Sequence, residues 1–155
     1  MTEAELPQLL GVFHSNPRYL EWTEGGEYDL EKLRADWESA RDGEGRYMLA
    51  LREHETGEPV GVIEFMDLNP MDGHPWIGLI MVAAERQREG LAAEAMQAVC
   101  AHVNLNWASP MRLGVIDENE AGIGLANSLG FEQYGEAYRD LGAGEHRLVL
   151  LQLRF

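Results

Sequence analysis

The chain has 155 residues, and its 27 acidic against 12 basic side chains give a formal net charge of −15. Its 45% hydrophobic and 25% charged residues are typical of a globular protein, here one domain over residues 1–155. Because the acid excess is spread along the chain without Lys or Arg clusters, we expect no binding to nucleic acid or to an anionic membrane. The same charge would attract a cationic small molecule or a basic peptide, although surface acids also serve solubility alone.

The apolar spacing predicts two helices in the first third of the chain, followed by two strands that form a hairpin. Asp29 precedes the second helix and is predicted to cap it. The segment between the helices is broken by Pro17, Gly25 and Gly26, which favours a loop. The predicted helices are residues 3–14 and 29–41, and the predicted strands are residues 46–53 and 59–66.

The second half alternates strands and helices. Its first strand is a nearly continuous apolar run, which predicts cover on both faces of the sheet. A strand, a helix and a strand in series predict a parallel pair, and the flanking hairpins make the sheet mixed. We therefore expect an α/β fold of the α+β type, with a central twisted mixed sheet flanked by helices. The predicted strands are residues 76–82, 111–116, 131–138 and 146–155, and the predicted helices are residues 90–104 and 119–129.

The composition limits the remaining classes of protein. No stretch reaches the roughly 20 apolar residues of a membrane-spanning helix, and the acidic start is unlike a signal peptide, so we expect a cytoplasmic protein. Cys100 is the single cysteine, and it lies in an apolar helical pattern that indicates a small buried side chain. The five histidines are scattered without ligand spacing, so we predict no metal site.

The segment that carries chemistry runs from Val82 to Ala92. A buried strand ends there, a short polar loop follows, and Gly90 lies near the start of a helix. Helix N-termini present free N–H groups and bind anions, and a glycine lets the backbone approach a ligand closely. Arg86 and Arg88 stand beside this helix start. The segment indicates a phosphate or pyrophosphate site, with an ordinary loop carrying two solvated arginines as the alternative.

The spacing Gln87-x-x-Gly90-x-Ala92 after an apolar strand resembles the acetyl-CoA signature of the GNAT family of N-acetyltransferases. Asn119 and the later Leu129-Gly130-Phe131 are similar to a second segment of that family, in the same order. The resemblance implies that acetyl-CoA is the acyl donor. Backbone groups of the strand would pair with the pantetheine arm, and loop N–H groups would hold the pyrophosphate with Arg88 as an ionic helper. The implied cofactor-binding residues are Ile80, Met81, Val82, Gln87, Arg88, Glu89, Gly90, Leu91, Ala92 and Asn119.

The implied reaction is direct attack of a primary amine on the thioester, which needs an acceptor for the proton of the amine and an acid for the thiolate. Three side chains are candidates for the base, namely Glu64, Asp67 and His74. Many family members carry a tyrosine as the acid where this chain has Ala126, so Tyr134 is a candidate from the next strand. Each candidate also has an ordinary structural interpretation, as a strand residue, a turn cap or a half-buried sheet residue.

The region of the acceptor in this family corresponds to residues 17–29, where Tyr19, Trp22 and Glu24 would suit an ammonium group. A small-molecule amine and a peptide amine are both compatible with these residues. The family usually opens with a strand, but helical spacing here begins at Glu3. Homodimers are frequent in the family, and an open sheet edge would favour one.

Two alternatives to an active enzyme follow from the same residues. Ala126 is compatible with a CoA-binding sensor or interaction module that has the same fold but little or no turnover. An unrelated α/β protein that binds a phosphate ligand would share only the loop.

Overall fold

The computed structural model describes residues 1–107 and 109–155, and over these residues the chain forms five helices and six strands. The helices are α1 (Leu6–His14), α2 (Pro17–Glu24), α3 (Leu30–Asp42), α4 (Leu91–Trp107) and α5 (Glu120–Ser128). The strands are β1 (Arg46–Arg52), β2 (Pro59–Met66), β3 (Trp76–Val82), β4 (Met111–Ile116), β5 (Glu132–Asp140) and β6 (Glu145–Leu153).

The six strands form one mixed sheet in the order β1-β2-β3-β4-β6-β5. The neighbours β3 and β4 are parallel, and every other neighbouring pair is antiparallel. The predicted α+β architecture is confirmed, and the strands predicted at 59–66, 76–82 and 111–116 have those bounds. The parallel pair is the one predicted from the strand, helix and strand in series.

Two hydrophobic cores lie on opposite faces of the sheet, because side chains alternate between faces along each strand. On the α1 face, α1 and α3 pack over Met48, Val62 and Met81. On the α4 face, α4 packs over other strand residues, among them Ile63 and Ile77. Since β3 contributes to both cores, it is covered on both faces, as its apolar run predicts. Cys100 is buried in the second core, as its pattern predicts.

The predicted loop over residues 17–29 is wrong, because residues 17–24 form α2. Pro17 occupies the first turn, where its missing N–H costs no hydrogen bond, and Gly25 ends the helix with a φ of 71°. Only Leu20 of this helix is buried. A helix of eight residues with one buried side chain offers too little periodicity to be recognised from sequence.

Neither a membrane-spanning helix nor a metal cluster is found in the ranges that the structure describes. None of their helices is long and apolar enough to cross a membrane. No three His, Cys, Asp or Glu side chains in these ranges converge on a point that would hold a metal ion.

Candidate functional site

A gap opens between the two parallel strands in the middle of the sheet. The strands β3 and β4 are paired only at their beginnings, through Trp76 with Arg112 and Ile77 with Leu113. The register between β2 and β3 shifts next to this point, between Glu64 and Phe65. Beyond the shift β3 and β4 diverge, so the second half of β3 has no strand partner on the β4 side among the residues that the structure describes.

The backbone groups that point into this gap belong to Ile80 and Val82. The N–H of Ala83 donates to the carbonyl oxygen of Val60 on β2 at 2.9 Å. Successive residues of a strand direct their backbone groups to opposite edges, and the register between β2 and β3 is regular from Gly61 to Glu64. Ile80 and Val82 therefore face away from β2, whereas Met81 faces β2 with its backbone. An extended ligand in the gap would meet Ile80 and Val82 as it would a neighbouring strand.

The loop from β3 to α4 lies at the open end of the gap. Gly90 precedes the first residue of α4 and has a φ of 87°, and Arg88 has a φ of 69°. The first N–H groups of a helix have no acceptor within the helix. Among the described residues, no acceptor contacts the N–H groups of Arg88, Glu89, Gly90, Leu91 or Ala92. These groups and the helix dipole make the end of the gap favourable for an anion.

The two arginines of the loop have different environments. The guanidinium of Arg86 is bound by the carboxylates of Glu53 and Glu89. Hydrogen bonds to these carboxylates, first of all to Glu53, raise the pKa of Arg86 above its usual value. Their negative charges neutralise its positive charge locally. Arg88 is exposed and makes no ion pair with any residue in the described ranges. The sequence indicates two free cations beside the helix start. In the described structure Arg86 is ion-paired, and Arg88 is the one that stays free.

The helix after β4 begins at the same end of the sheet. The side chain of Asn119 caps α5 by accepting a hydrogen bond from the N–H of Gly122 at 3.0 Å. Gly122 is close to this cap, since a Cβ there would lie 2.8 Å from Asn119 Nδ2 and 3.0 Å from Val115 Cγ1. A glycine at this helical position is therefore explained by contacts within the protein, with the cap and with β4.

Helix α2 crosses the open end of the gap on the α1 face. At its start, Asn16 Nδ2 donates to the carbonyl oxygen of Val82 at 3.0 Å. At its other end, the turn between β5 and β6 is so close that a Cβ on Gly142 would lie 2.7 Å from the carbonyl oxygen of Thr23. The helix thus spans from the end of β3 to the turn between β5 and β6, and it covers the place where the strands have separated.

Acidic and aromatic side chains meet beneath α2. Tyr19 is half-buried, and burial with the nearby carboxylates of Glu64 and Glu24 raises its pKa to about 12. Glu64 lies opposite Leu79 in the sheet, beside the point where β3 leaves β4, and its side chain is 14% exposed. Arg46 Nε donates to Glu64 at 2.6 Å. Tyr19 is neutral at ordinary pH, while Glu64 is held in place by a cation.

The other predicted catalytic side chains lie apart from Glu64. Asp67 accepts a hydrogen bond from the hydroxyl of Tyr47 at 3.0 Å, and Tyr47 stacks on Phe65 on the α4 face, so Asp67 does not face α2. His74 lies before β3 with its Nδ1 2.9 Å from Ser109 Oγ. Since β3 is about 20 Å long at 3.3 Å per residue, His74 is at the far end from the loop.

Tyr134 lies at the same far end as His74. The guanidinium carbon of Arg112 is 4.7 Å from the centre of its ring, and Arg112 is paired with the first residue of β3. Burial is the main reason that the pKa of Tyr134 is raised. A cavity of about 430 Å³ also opens at this end and is lined partly by Arg112 and Arg154, away from the gap. The structure therefore brings Glu64 towards α2 and leaves the other three candidates elsewhere.

The position of the family's acid has no hydroxyl in this chain. Ala126 is 1% exposed and packs in the core of the α4 face. The hydroxyl of the nearby Ser128 donates to the carbonyl oxygen of Leu125 at 2.7 Å. Tyr138 is on the edge strand β5 and 59% exposed. None of these side chains supplies the missing acid in the arrangement that is seen.

The remaining predicted acceptor residues lie on α2. The ring of Trp22 is 4.8 Å from the guanidinium carbon of Arg18, and Glu24 is 3.7 Å from Lys32 Nζ. Sequence reasoning missed Asn16 and Arg46, whose partners are 66 and 18 residues away. Only the polarity of Asn16 before a proline pointed to a helix start.

Comparison with known proteins relates this architecture to one family. Residues 1–132 match the family model of the acetyltransferase (GNAT) domain. No curated protein sequence matches the chain. The structure of an acetyltransferase from Thermus thermophilus is similar, with a TM-score of 0.76 and 20% identity over 99% of this chain and 94% of that chain.

Two structures from Vibrio cholerae are also similar in fold. One is a spermidine N-acetyltransferase in complex with CoA and spermine, with a TM-score of 0.76 and 14% identity over 99% of this chain and 91% of that chain. The other is provisionally described as a ribosomal-protein-serine acetyltransferase, with a TM-score of 0.82 and 14% identity over 100% of this chain and 91% of that chain. At these identities the likeness is one of fold.

Proposed function

Because the chain belongs to the GNAT family of acetyl-CoA-dependent N-acetyltransferases, we propose that it acetylates a primary amine of a positively charged acceptor, with acetyl-CoA lying in the gap between β3 and β4. The observation that carries this proposal is the divergence of the two parallel strands directly below the start of α4. A ligand with an extended part and an anionic part would fit both the gap between the strands and the N-terminus of α4 at its end.

The residues along the gap fit such a ligand. The backbone of Ile80 and the N–H of Val82 are available to the pantetheine arm, whereas the carbonyl oxygen of Val82 already accepts from Asn16. The loop N–H groups from Arg88 to Ala92 would bind the pyrophosphate, and the exposed Arg88 would add a cation. Asn119 would act through its cap, by fixing the start of α5.

The reaction at this site is written as a direct transfer. The nitrogen of the neutral amine forms a bond with the carbonyl carbon of the acetyl group, the carbon–sulfur bond breaks, and the CoA thiolate leaves. The amine loses one proton, which a carboxylate accepts directly or through water. Of the four predicted catalytic residues, Glu64 has the position for this role, because it lies beneath α2 beside the point where β3 diverges.

The acceptor is proposed to be cationic because the side chains under α2 are acidic and aromatic. Tyr19, Trp22 and Glu24 would contact its charged part through carboxylate and cation–π interactions, and the acceptor would take the place of Arg18 beside Trp22 and of Lys32 beside Glu24. Spermidine is the acceptor named for one similar structure, and a ribosomal protein is named for another. A polyamine and a basic peptide both have the primary amine and the positive charge that this site would select.

The substitution Glu64→Gln tests this assignment. Removing the proton acceptor is expected to lower kcat/KM for the amine by about 100-fold, the lower end of the usual contribution of general base catalysis. Glu38→Gln, at an exposed position of α3, is the control and should leave kcat/KM unchanged. Urea unfolding of both variants separates a loss of catalysis from a loss of fold. A Glu64→Gln enzyme with normal kcat/KM would show that the proton leaves by another route.

A CoA-binding protein without turnover remains the second candidate, and the buried Ala126 is the observation that favours it. Release of CoA thiol from acetyl-CoA is measured with a panel of polyamines and basic peptides. Release that depends on the amine supports the enzyme. Tight CoA binding without release from any amine supports the sensor.

A further inference from the structure

A set of hydrogen bonds joins the loop after β3 to the junction of α1 and α2. The N–H of Ala84 donates to Ser15 Oγ at 3.0 Å. Gln87 Nε2 donates to Asn16 Oδ1 at 2.8 Å and to the carbonyl oxygen of Val82 at 3.3 Å. We call Ser15, Asn16, Val82, Ala84 and Gln87 the latch. Its two sides are 66 to 71 residues apart in the chain.

Asn16 is the centre of the latch, because it also starts α2. Its carbonyl oxygen accepts from the N–H groups of Tyr19 and Leu20, at 3.1 Å and 3.4 Å. Its side-chain amide donates to Val82 and, at 2.9 Å, to the carbonyl oxygen of Val12. Asn16 therefore fixes the direction of α2 relative to both α1 and β3. The oxygen of its side-chain amide accepts the hydrogen bond from Gln87.

The side chain of Gln87 thus points away from the loop N–H groups and towards α2. A shift of the loop on binding an anion would therefore move Gln87, and through the latch it would reach the first turn of α2. We infer that Gln87 and Asn16 are positioning residues that couple the acetyl-CoA loop to the helix over the acceptor site. This inference rests on the proposed function, because it assigns the loop to acetyl-CoA and α2 to the acceptor.

The substitution Gln87→Glu breaks the latch with little change of volume. A carboxylate cannot donate, and it would face the oxygens of Asn16 and Val82. Asn16→Ala removes the other side of the latch without changing any residue of the loop. Gln97→Glu places the same change on an exposed position of α4 and serves as the matched control.

The measurement is amide hydrogen exchange of residues 17–24 with and without CoA, beside the Kd of CoA for each variant. In the unmodified protein and in Gln97→Glu, CoA is expected to slow exchange in α2 by about five-fold, the lower end of ordinary coupling between sites. In Gln87→Glu and Asn16→Ala, CoA at a concentration well above the Kd of each variant slows exchange in α2 by less than about two-fold. A latch that is merely structural would raise exchange equally with and without CoA, so the ratio distinguishes the two roles.

Each other outcome is decisive. If CoA binds the unmodified protein without slowing α2, or slows it equally in the latch variants, the coupling is wrong while the proposed function stands. If CoA does not bind the unmodified protein at all, the proposed function is wrong and the coupling with it.

Discussion

Arg88 is the one residue other than glycine that has a positive φ in the described chain, and Gly90, two residues later, has one as well. A left-handed conformation costs a residue with a Cβ about 1 kcal/mol or more, and such strain is concentrated at functional sites. The sequence indicated Gly90, because glycine before a helix is a recognisable signal. The conformation of Arg88 was not predictable, because it depends on how the whole loop turns.

The substitution Gly90→Ala is expected to weaken acetyl-CoA binding by about ten-fold, which corresponds to about 1.4 kcal/mol of strain or displaced N–H groups. Gly57→Ala is the matched control. Its φ of 73° carries the same strain, and its Cβ would likewise meet nothing within 4 Å, but it lies in the hairpin between β1 and β2. Both variants should lose similar stability in urea. Equal Kd values for acetyl-CoA in the two variants would contradict the assignment of the loop.

Arg86 shows where reading single residues along the sequence fails. The prediction that Arg86 lies beside the helix start is correct, but its charge is neutralised by an ion pair with Glu53, on the chain segment after β1. An ion pair over 33 positions depends on the tertiary fold. The same holds for the bond between Gln87 and Asn16, which the family signature does not indicate.

At the scale of elements, the cap of α5 depends on the absence of one side chain. A Cβ at position 122 would displace the amide of Asn119, whose capping bond to a helix N–H typically contributes about 1 kcal/mol. We expect Gly122→Ala to lower the free energy of unfolding by about 1 kcal/mol. Gly124→Ala, two residues on in an open position, should raise it by up to about 1 kcal/mol through helix propensity. Urea denaturation of the pair measures the difference, and a stabilised Gly122→Ala protein would contradict it.

The contact between α2 and the turn after β5 allows a test of whether α2 borders the acceptor site. Gly142 has a φ of 102°, and a Cβ there would lie 2.7 Å from the backbone of α2, so alanine must push the turn away from the helix. We expect Gly142→Ala to raise KM for the amine several-fold with little change in KM for acetyl-CoA. Gly144→Ala in the same turn, with a φ of 137° and open space around it, should have a smaller effect on KM for the amine. Equal effects of the two would indicate that α2 and the turn do not border the acceptor.

Elements with a clear pattern were predictable, and those that depend on tertiary contacts were not. The strands β2, β3 and β4 follow from their apolar runs, and α3 from Asp29, whose side chain accepts from the N–H of Lys32. Helix α2 was missed because one buried residue gives no period. The divergence of β3 from β4 was not predicted from the residues either, since each strand alone has an ordinary sequence and the gap is a property of the pair.

For the whole molecule, the two sheet edges differ. Both edge strands have a register shift and exposed aromatic side chains, but β1 is charged only at its two ends, Arg46 and Arg52, whereas β5 carries charged residues along its length that discourage pairing with another strand. The homodimer expected from the resemblance stays a prediction, and β1 is the edge that would favour it.

The net charge of −15 gives a last test, because it would act in opposite directions on the two proposed substrates, anionic acetyl-CoA and a cationic amine. With Arg86 neutralised, the acidic field repels anionic CoA and attracts a cationic amine. Raising ionic strength from about 0.01 to about 0.1 M shortens the Debye length from about 30 to about 10 Å and weakens both effects.

KM for acetyl-CoA should therefore fall with salt, while KM for the amine should rise. Arg88→Gln, which removes the exposed cation of the loop, should make the fall steeper without changing the rise. A salt effect on the fold alone would move both constants in the same direction. Opposite signs are expected when two ligands of opposite charge meet the same field, whereas a KM for the amine that falls with salt would contradict a cationic acceptor.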